Sequence, residues 1–190
     1  MTSWYGRWGK RCGDLLLALV AAGVVWPVAV GLWVVLTALV APDSALLWQA
    51  RIGQGGRPFP LLKFRSLSVR HGGPTPLGRW LRATALDELP QLLHILRGEM
   101  SVVGPRPLLV EEGESLAALP GAAVRLQVAP GLAGLAQLYG GKHPVPAERV
   151  ALDAHYVRTV GWRMDLWILA RAVSISLLGR WGVASRAAAP

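Results

Sequence analysis

Two adjacent carboxylates, Asp87 and Glu88, head an apolar helix pattern, and Arg106 stands between Pro105 and Pro107 further along the chain. These side-chain types suit phosphate chemistry. On a regular helix neighbouring residues diverge by about 100°, so an adjacent pair shares a ligand only at a helix start. The plainer account is capping, in which Asp87 satisfies orphan N–H groups and Glu88 complements the helix dipole. In the chemical account the helix N-terminus holds both carboxylates ionised, ready to bind a hard cation or to attack phosphorus. The surrounding cations give weight to the second account: Arg82 lies five residues before Asp87, and Lys63 and Arg65 come from a preceding segment. In Gly104-Pro105-Arg106-Pro107 two prolines restrict the backbone and present the guanidinium preorganised. Phosphoryl transfer asks for positioned cations and a metal more than for covalent machinery.

The four histidines are scattered without metal-ligand spacing, and His71 and His94 read as solvated or structural. Cys12 is the only cysteine, which excludes an intramolecular disulfide and a cysteine-based zinc site.

The elements that must position these groups follow from periodicity. Leu89, Leu92, Leu93 and Leu96 fall at helical spacing, with Pro90 in the first turn and Gly98 after the end, so a helix is predicted over 86–97. RPFPLLKFRSLSV from Arg57 reads as an extended segment, with Phe59, Leu61 and Phe64 apolar and Lys63 and Arg65 interleaved. SVVGPRPLLV from Ser101 reads as a short, turn-rich strand. Residues 42–56 read as a polar, glycine-rich exit, and HGGPTPLG from His71 and APGLAGLAQLYGG from Ala129 as loops. Glu111, Glu112 and Glu114 begin a solvated helix, and two more helices start at Pro146 and Trp162. On the last, Trp162, Leu166, Leu169 and Val173 share a side while Arg163 and Arg171 can snorkel, as at a membrane interface. Asp153, Tyr156 and Asp165 either reach the site or hold these late helices together.

A mean hydropathy of +0.39 is high for a soluble chain, and the excess lies near the N-terminus. Leu15 to Ala41 carries no charge and is long enough to span roughly 30 Å of hydrocarbon as a helix. By composition a single spanning helix is the default, since the run exceeds a signal-peptide core and lacks a small-x-small cleavage site. Pro27 predicts a kink near its middle. Arg7, Lys10 and Arg11 precede the run and Arg51, Arg57, Lys63 and Arg65 follow it, so both flanks favour the cytoplasm. A helix that bends at Trp26-Pro27 and returns to the same face satisfies both flanks, given partners for the freed carbonyls. Twenty Lys and Arg against eleven Asp and Glu leave a charge of +9, which points to an anionic partner. No recognised nucleic-acid motif is present, and the basic residues accompany a membrane segment, so membrane lipid is the expected partner and nucleic acid is not. Trp4, Trp8, Trp48, Trp162 and Trp167 fit an interfacial belt.

Lys63 to Leu67 (KFRSL), Leu86 to Leu108 (LDELPQLLHILRGEMSVVGPRPL) and Pro130 to Gln137 (PGLAGLAQ) closely resemble the signature segments of the bacterial sugar transferase family, the monotopic phosphoglycosyl transferases of the small single-domain type. GKRCGDLLLALV, QARIGQGG, LDAHYVRT and WRMDLWIL occupy the expected places around them, so the resemblance covers almost the whole chain. It implies transfer of a sugar-1-phosphate from a nucleotide diphosphate sugar, usually a UDP-sugar, to polyprenyl phosphate at the cytoplasmic face of the bacterial inner membrane. The product begins lipid-linked glycan assembly, as in exopolysaccharide synthesis. In the implied route Asp87 attacks the sugar-bearing phosphate, UMP leaves, and polyprenyl phosphate takes the phosphosugar from the aspartyl intermediate. Asp87 and Glu88 are the implied catalytic pair and Mg²⁺ site, and Lys63, Arg65, Arg82, Arg106 and Gln137 the implied substrate-binding groups. The family's membrane helix is re-entrant and bent at a Ser-Pro pair, where this chain has Trp26-Pro27. Ala129, Leu135 and Gly141 also depart from the family's arginine, tryptophan and arginine, with Lys142 placed to replace one lost charge.

The resulting expectation is an α+β, mainly helical chain. Residues 1–42 form a membrane-embedded re-entrant hairpin broken at Trp26-Pro27, with a basic N-terminal flank. Residues 43–190 form a compact cytoplasmic-face catalytic domain with interfacial amphipathic helices and short strands. The sequence specifies no oligomeric state. A rival of another class is a non-catalytic membrane-anchored module that binds anionic lipid or a protein partner.

Overall fold

The computed structural model describes residues 5–40, 44–68, 72–140 and 145–178. His71, Gly141 and Lys142 lie outside them. The apolar run forms α1 (Lys10–Val40), preceded by a turn of π-helix at Tyr5–Gly9. Among the described residues α1 is the one helix long and apolar enough to cross a membrane. The helix is continuous through Trp26-Pro27, where the sequence predicts a break. A proline removes only one intrahelical hydrogen bond, and a single stripe runs past it. Asp14, Ala18, Ala21, Val25, Ala29, Leu32 and Leu36 recur every three or four residues and turn inward, while most of the remaining apolar surface of the helix is exposed.

Strands β1 (Leu46–Ile52) and β2 (Pro58–Phe64) form an antiparallel hairpin in register from Leu46 opposite Phe64 to Ile52 opposite Pro58. β1 falls inside the stretch read as a polar exit, and its pairing with β2 overrides that composition. A helix also forms where a loop is predicted. Thr75 caps α2 (Pro76–Thr84) by accepting from the Gly78 N–H at 2.8 Å, and Pro76 fits the first helical position. The predicted helix over 86–97 divides into a 3-10 helix (Leu86–Gln91) and α3 (Leu92–Arg97), with Pro90 inside the 3-10 part.

Beyond Gly98 run β3 (Ser101–Val103), β4 (Leu108–Leu109) and α4 (Val110–Ala117). A 3-10 helix (Ala122–Gln127), β5 (Gly131–Ala133), α5 (Leu135–Gly140), α6 (Pro146–Thr159) and α7 (Trp162–Leu177) complete the fold. β4 pairs with the free edge of β1, and β3 with β5 in parallel. The segment read as a glycine-punctuated loop therefore contains a strand and a helix. The chain is α+β and mainly helical, with a long apolar N-terminal helix and two small sheets.

The main core gathers Leu61, Ile95, Met100, Val103, Tyr156 and Ile168 around Ala18 of α1. Ala29 and Leu36, further along α1, pack with Ala45, Phe64 and Leu81. Fully burying one such aliphatic side chain is worth about 1.5–3 kcal/mol, so both halves of α1 are bound to the body. Polar ties reinforce its first half. Asp14 accepts from the Ser101 hydroxyl at 2.7 Å and the Val102 N–H at 3.1 Å. Asp165 on α7 takes the Lys10 ammonium at 2.7 Å, the Tyr5 hydroxyl at 2.6 Å and the Tyr156 hydroxyl at 2.8 Å. Arg11 donates to the carbonyls of Ile95 and Leu96 at the end of α3. Of the late-helix polar residues, Asp165 and Tyr156 thus bind elements together. His94 does likewise: it is buried, its Nε2 accepts from the Leu62 N–H at 3.0 Å, and its Nδ1 lies 2.5 Å from Glu99.

Candidate active site

Asp87 and Glu88 occupy the first turn of the short 3-10 helix, and both are buried. The residue that redirects the chain into that turn is Ala85, at φ 60° and ψ 17°, the one non-glycine residue with positive φ among those described. Left-handed backbone costs an L-residue about 1–2 kcal/mol, and here it allows α2 to end and the carboxylate pair to begin within one residue.

The pair lines a polar cavity of about 160 Å³, several times the volume of a water molecule. Lys63 reaches it from β2 and Arg82 from α2. Glu88 is clamped: Arg106 donates to its two oxygens at 2.7 and 3.3 Å, and the Lys63 ammonium lies 3.4 Å away. Burial lowers the Lys63 ammonium to about 8, against the pull of Glu88. Arg65 lies elsewhere. It follows the last residue of β2, and its Nε donates to the Ser44 carbonyl at 2.7 Å.

The Arg106 loop is fixed by the segment that follows Ala129. Gly131 donates to the Pro105 carbonyl at 2.9 Å and Gly104 to the Ala133 carbonyl at 2.8 Å. The backbones approach so closely that a Cβ on Gly131 would stand 2.0 Å from the Gly104 nitrogen. Leu135, one of the departures noted above, is buried in the main core.

An apolar cleft of about 320 Å³ reaches Glu88, between α1, the 3-10 helix and α7. Val25, Leu89, Leu132 and Val173 line it, and its polar lining includes Thr84, Glu88, Arg106, Gln137 and Ser176. Gln137 therefore belongs to the cleft and not to the polar cavity. Glu88 and Arg106 are common to both spaces.

Among the described residues no group of three or more His, Cys, Asp or Glu is arranged to hold a metal. Asp87 and Glu88 are nevertheless hard oxygen donors on one cavity, and this fits Mg²⁺, which takes one or two protein carboxylates and completes its shell with substrate phosphate and water.

The family model described as bacterial sugar transferase matches residues 5–179. The chain belongs to the bacterial sugar transferase family. It is 40% identical, over 86% of its length and 68% of the relative's, to the UDP-glucose:undecaprenyl-phosphate glucose-1-phosphate transferase of Caulobacter vibrioides. It is 34% identical to the protein of that name from Escherichia coli, over 84% of this chain but only 38% of that one. With the exopolysaccharide production protein ExoY of Rhizobium meliloti it shares 35% identity over 92% of its own length and 88% of ExoY. As a phosphoglycosyl transferase it is an enzyme, which sets aside the non-catalytic lipid-binding module.

Arg51, Glu112 and Arg149 line the polar cavity beside the predicted groups, although the sequence places Arg51 in a basic flank and Glu112 on a solvated helix and gives Arg149 no role. Gln49 and Arg51 share a face of β1, so the signal was an alternation hidden by the misread strand. On α6, Arg149, Asp153 and Tyr156 recur at i, i+4 and i+7 beside Val150, Ala154 and Val157, a polar stripe on a buried face.

Proposed function

We propose that this sugar transferase moves a sugar-1-phosphate from a nucleoside diphosphate sugar, of the UDP kind, to polyprenyl phosphate, and so begins a lipid-linked glycan. One observation carries the reading: Glu88 and Arg106 form a wall shared by a polar, cation-lined cavity and an apolar cleft. A donor that is wholly polar and an acceptor that is mostly hydrocarbon need such a wall, because their phosphates must meet while the rest of each molecule stays in its own solvent.

Lys63, Arg82 and Arg106 bind and orient the donor diphosphate in the polar cavity. A carboxylate oxygen of Asp87 forms a bond to the sugar-bearing phosphorus as the bond from that phosphorus to the bridging oxygen breaks. The electron pair leaves with the nucleoside monophosphate. A phosphate oxygen of the acceptor, placed by the polar lining of the cleft, then attacks the same phosphorus. The aspartyl oxygen is released as the original carboxylate. Mg²⁺, when bound, would be held by Asp87 and Glu88 and would supply neutralisation of the diphosphate charge.

The membrane reading is that residues 1–42, with α1 continuous within them, lie in one leaflet without crossing it, and that residues 43–190 stand on the cytoplasmic face of the inner membrane. Its support is mechanical. Lys10 and Asp14 near one end of α1, and Leu36 near the other, are all held by the same body, so a crossing helix would carry polar surface into hydrocarbon. In a Cys12→Ser background, Trp8→Cys and Gln54→Cys should label from the same side of sealed vesicles; labelling from opposite sides would remove this topology.

For the reaction, detergent-purified protein with Mg²⁺, polyprenyl phosphate and a panel of UDP-sugars should release UMP. Asp87→Asn should abolish release with the fold intact. Turnover that survives the substitution would exclude Asp87 as the nucleophile.

A further inference from the structure

The polar cavity is also lined by two arginines, Arg51 and Arg149, part of whose hydrogen-bonding capacity is unused among the described residues. Arg51 and Arg149 are each 8% exposed. Arg149, in the first turn of α6, makes no side-chain hydrogen bond among the described residues, and its one ion pair there, with Glu112, is long at 3.9 Å. Arg51 uses two nitrogens on the Pro107 carbonyl and on Gln49, but its buried Nε has no hydrogen-bond partner among the described residues. Glu112 stands 3.9 Å from Arg51 as well. Buried donors without acceptors cost free energy, and an anion recovers it. Burial and the nearby Arg106 and Arg149 also push the Arg51 guanidinium below its ordinary value, against the pull of Glu112 and Glu88, so added negative charge is favoured here.

Counting Lys63, Arg82 and Arg106, five cations face three carboxylates, leaving two positive charges over. Lys63 and Arg106 are drawn onto Glu88, beside the nucleophile. We propose that Arg51 and Arg149 bind the nucleotide-side phosphate of the donor and hold it as the leaving group. This rests on the transfer reaction proposed above. As the bond to the bridging oxygen breaks, charge accumulates on that phosphate, and two forked guanidiniums in a water-poor cavity are suited to receive it.

The test uses UMP as probe with the full chain in detergent and Mg²⁺. Arg51 also holds the Pro107 carbonyl, so the variants are made at Arg149. Arg149→Gln should weaken UMP binding about 10- to 100-fold, the loss expected for one charge-assisted contact. Arg149→Lys, which keeps the charge but not the fork, should fall between, and Arg158→Gln, at an exposed arginine on the same helix, should bind UMP as the wild type does. Binding by Arg149→Gln within about twofold of wild type, or by Arg149→Lys if the first variant does not fold, overturns the proposal. A wild type that binds UMP through Arg149 yet releases none from UDP-sugars leaves this phosphate site standing and overturns the transfer reaction instead.

Discussion

The Arg125 guanidinium donates a hydrogen bond to the backbone carbonyl of Arg106 and stands 3.3 Å from the Asp153 carboxylate. Both charged partners are buried, so Arg125 ties the proline-flanked loop to α6. Arg125→Met should cost about 3–5 kcal/mol of stability by removing the ion-pair partner of Asp153 and leaving it only the weaker pull of Arg149, and should also lower UMP release. The double variant Arg125→Met/Asp153→Leu separates the two effects. Stability should return, but the donor KM should stay raised because the Arg106 carbonyl is still unheld. Recovery of KM together with melting temperature would reduce Arg125 to a structural role.

Asp153 also sets a pH dependence. Burial raises its carboxyl to about 6, against the opposing pull of Arg125 and Arg149, the charged groups facing it. Its folded value lies above the unfolded one, so the folded state binds the proton more tightly, and stability should rise as pH falls from about 6 towards 4. The slope amounts to roughly 3 kcal/mol over that window. Melting curves of wild type and Asp153→Asn should diverge between pH 7 and 4.5, the variant lacking this rise. Parallel curves would show that Asp153 does not titrate there.

The polar half of the site was legible because Lys63, Arg82, Asp87, Glu88 and Arg106 sit in short, rigid local contexts. Arg65 was misleading for a geometric reason. Residues two apart share a strand face, but β2 stops at Phe64, so Arg65 turns towards Ser44. Strand β1 and helix α2 were hidden by composition: glycines follow the first, and glycines and prolines crowd the entry to the second. Only pairing with β2 and the Thr75 cap decide those segments. Arg149 was illegible because its cavity exists only once α6 packs with β4 and α4, Val150 clustering with Leu108 and Leu116.

Asp165 gathers one ammonium and two hydroxyls from three separate elements. Asp165→Ala should leave the Lys10 charge buried beside α7 and destabilise the protein by about 3–5 kcal/mol. Loss should begin at the membrane helix, so proteolysis near Tyr5–Lys10 should accelerate before global unfolding. Unchanged cleavage there would mean that α1 is held by its apolar stripe alone.

Gly131→Ala should be among the most damaging single-methyl additions in the chain. The new Cβ would meet backbone at 2.0 Å, and backbone cannot rotate aside as a side chain does. Either β3 and β5 separate or the Pro105 carbonyl loses its donor, and both outcomes displace Arg106. A melting temperature and donor KM equal to wild type would show that the two strands have room to part.

Val173 lines the apolar cleft and is half exposed, so enlarging it narrows the cleft without overfilling a core. Val173→Trp should raise the KM for polyprenyl phosphate about tenfold, equivalent to roughly 1.4 kcal/mol of lost acceptor binding. Donor KM should be unchanged, because Val173 is not among the residues that line the polar cavity. The effect should grow with prenyl chain length, since a longer chain reaches further along α7, and a one- or two-isoprene acceptor should hardly register it. Val173→Ser, which removes bulk, should not reproduce the defect. An equal loss for short and long acceptors would place the hydrocarbon chain outside this cleft.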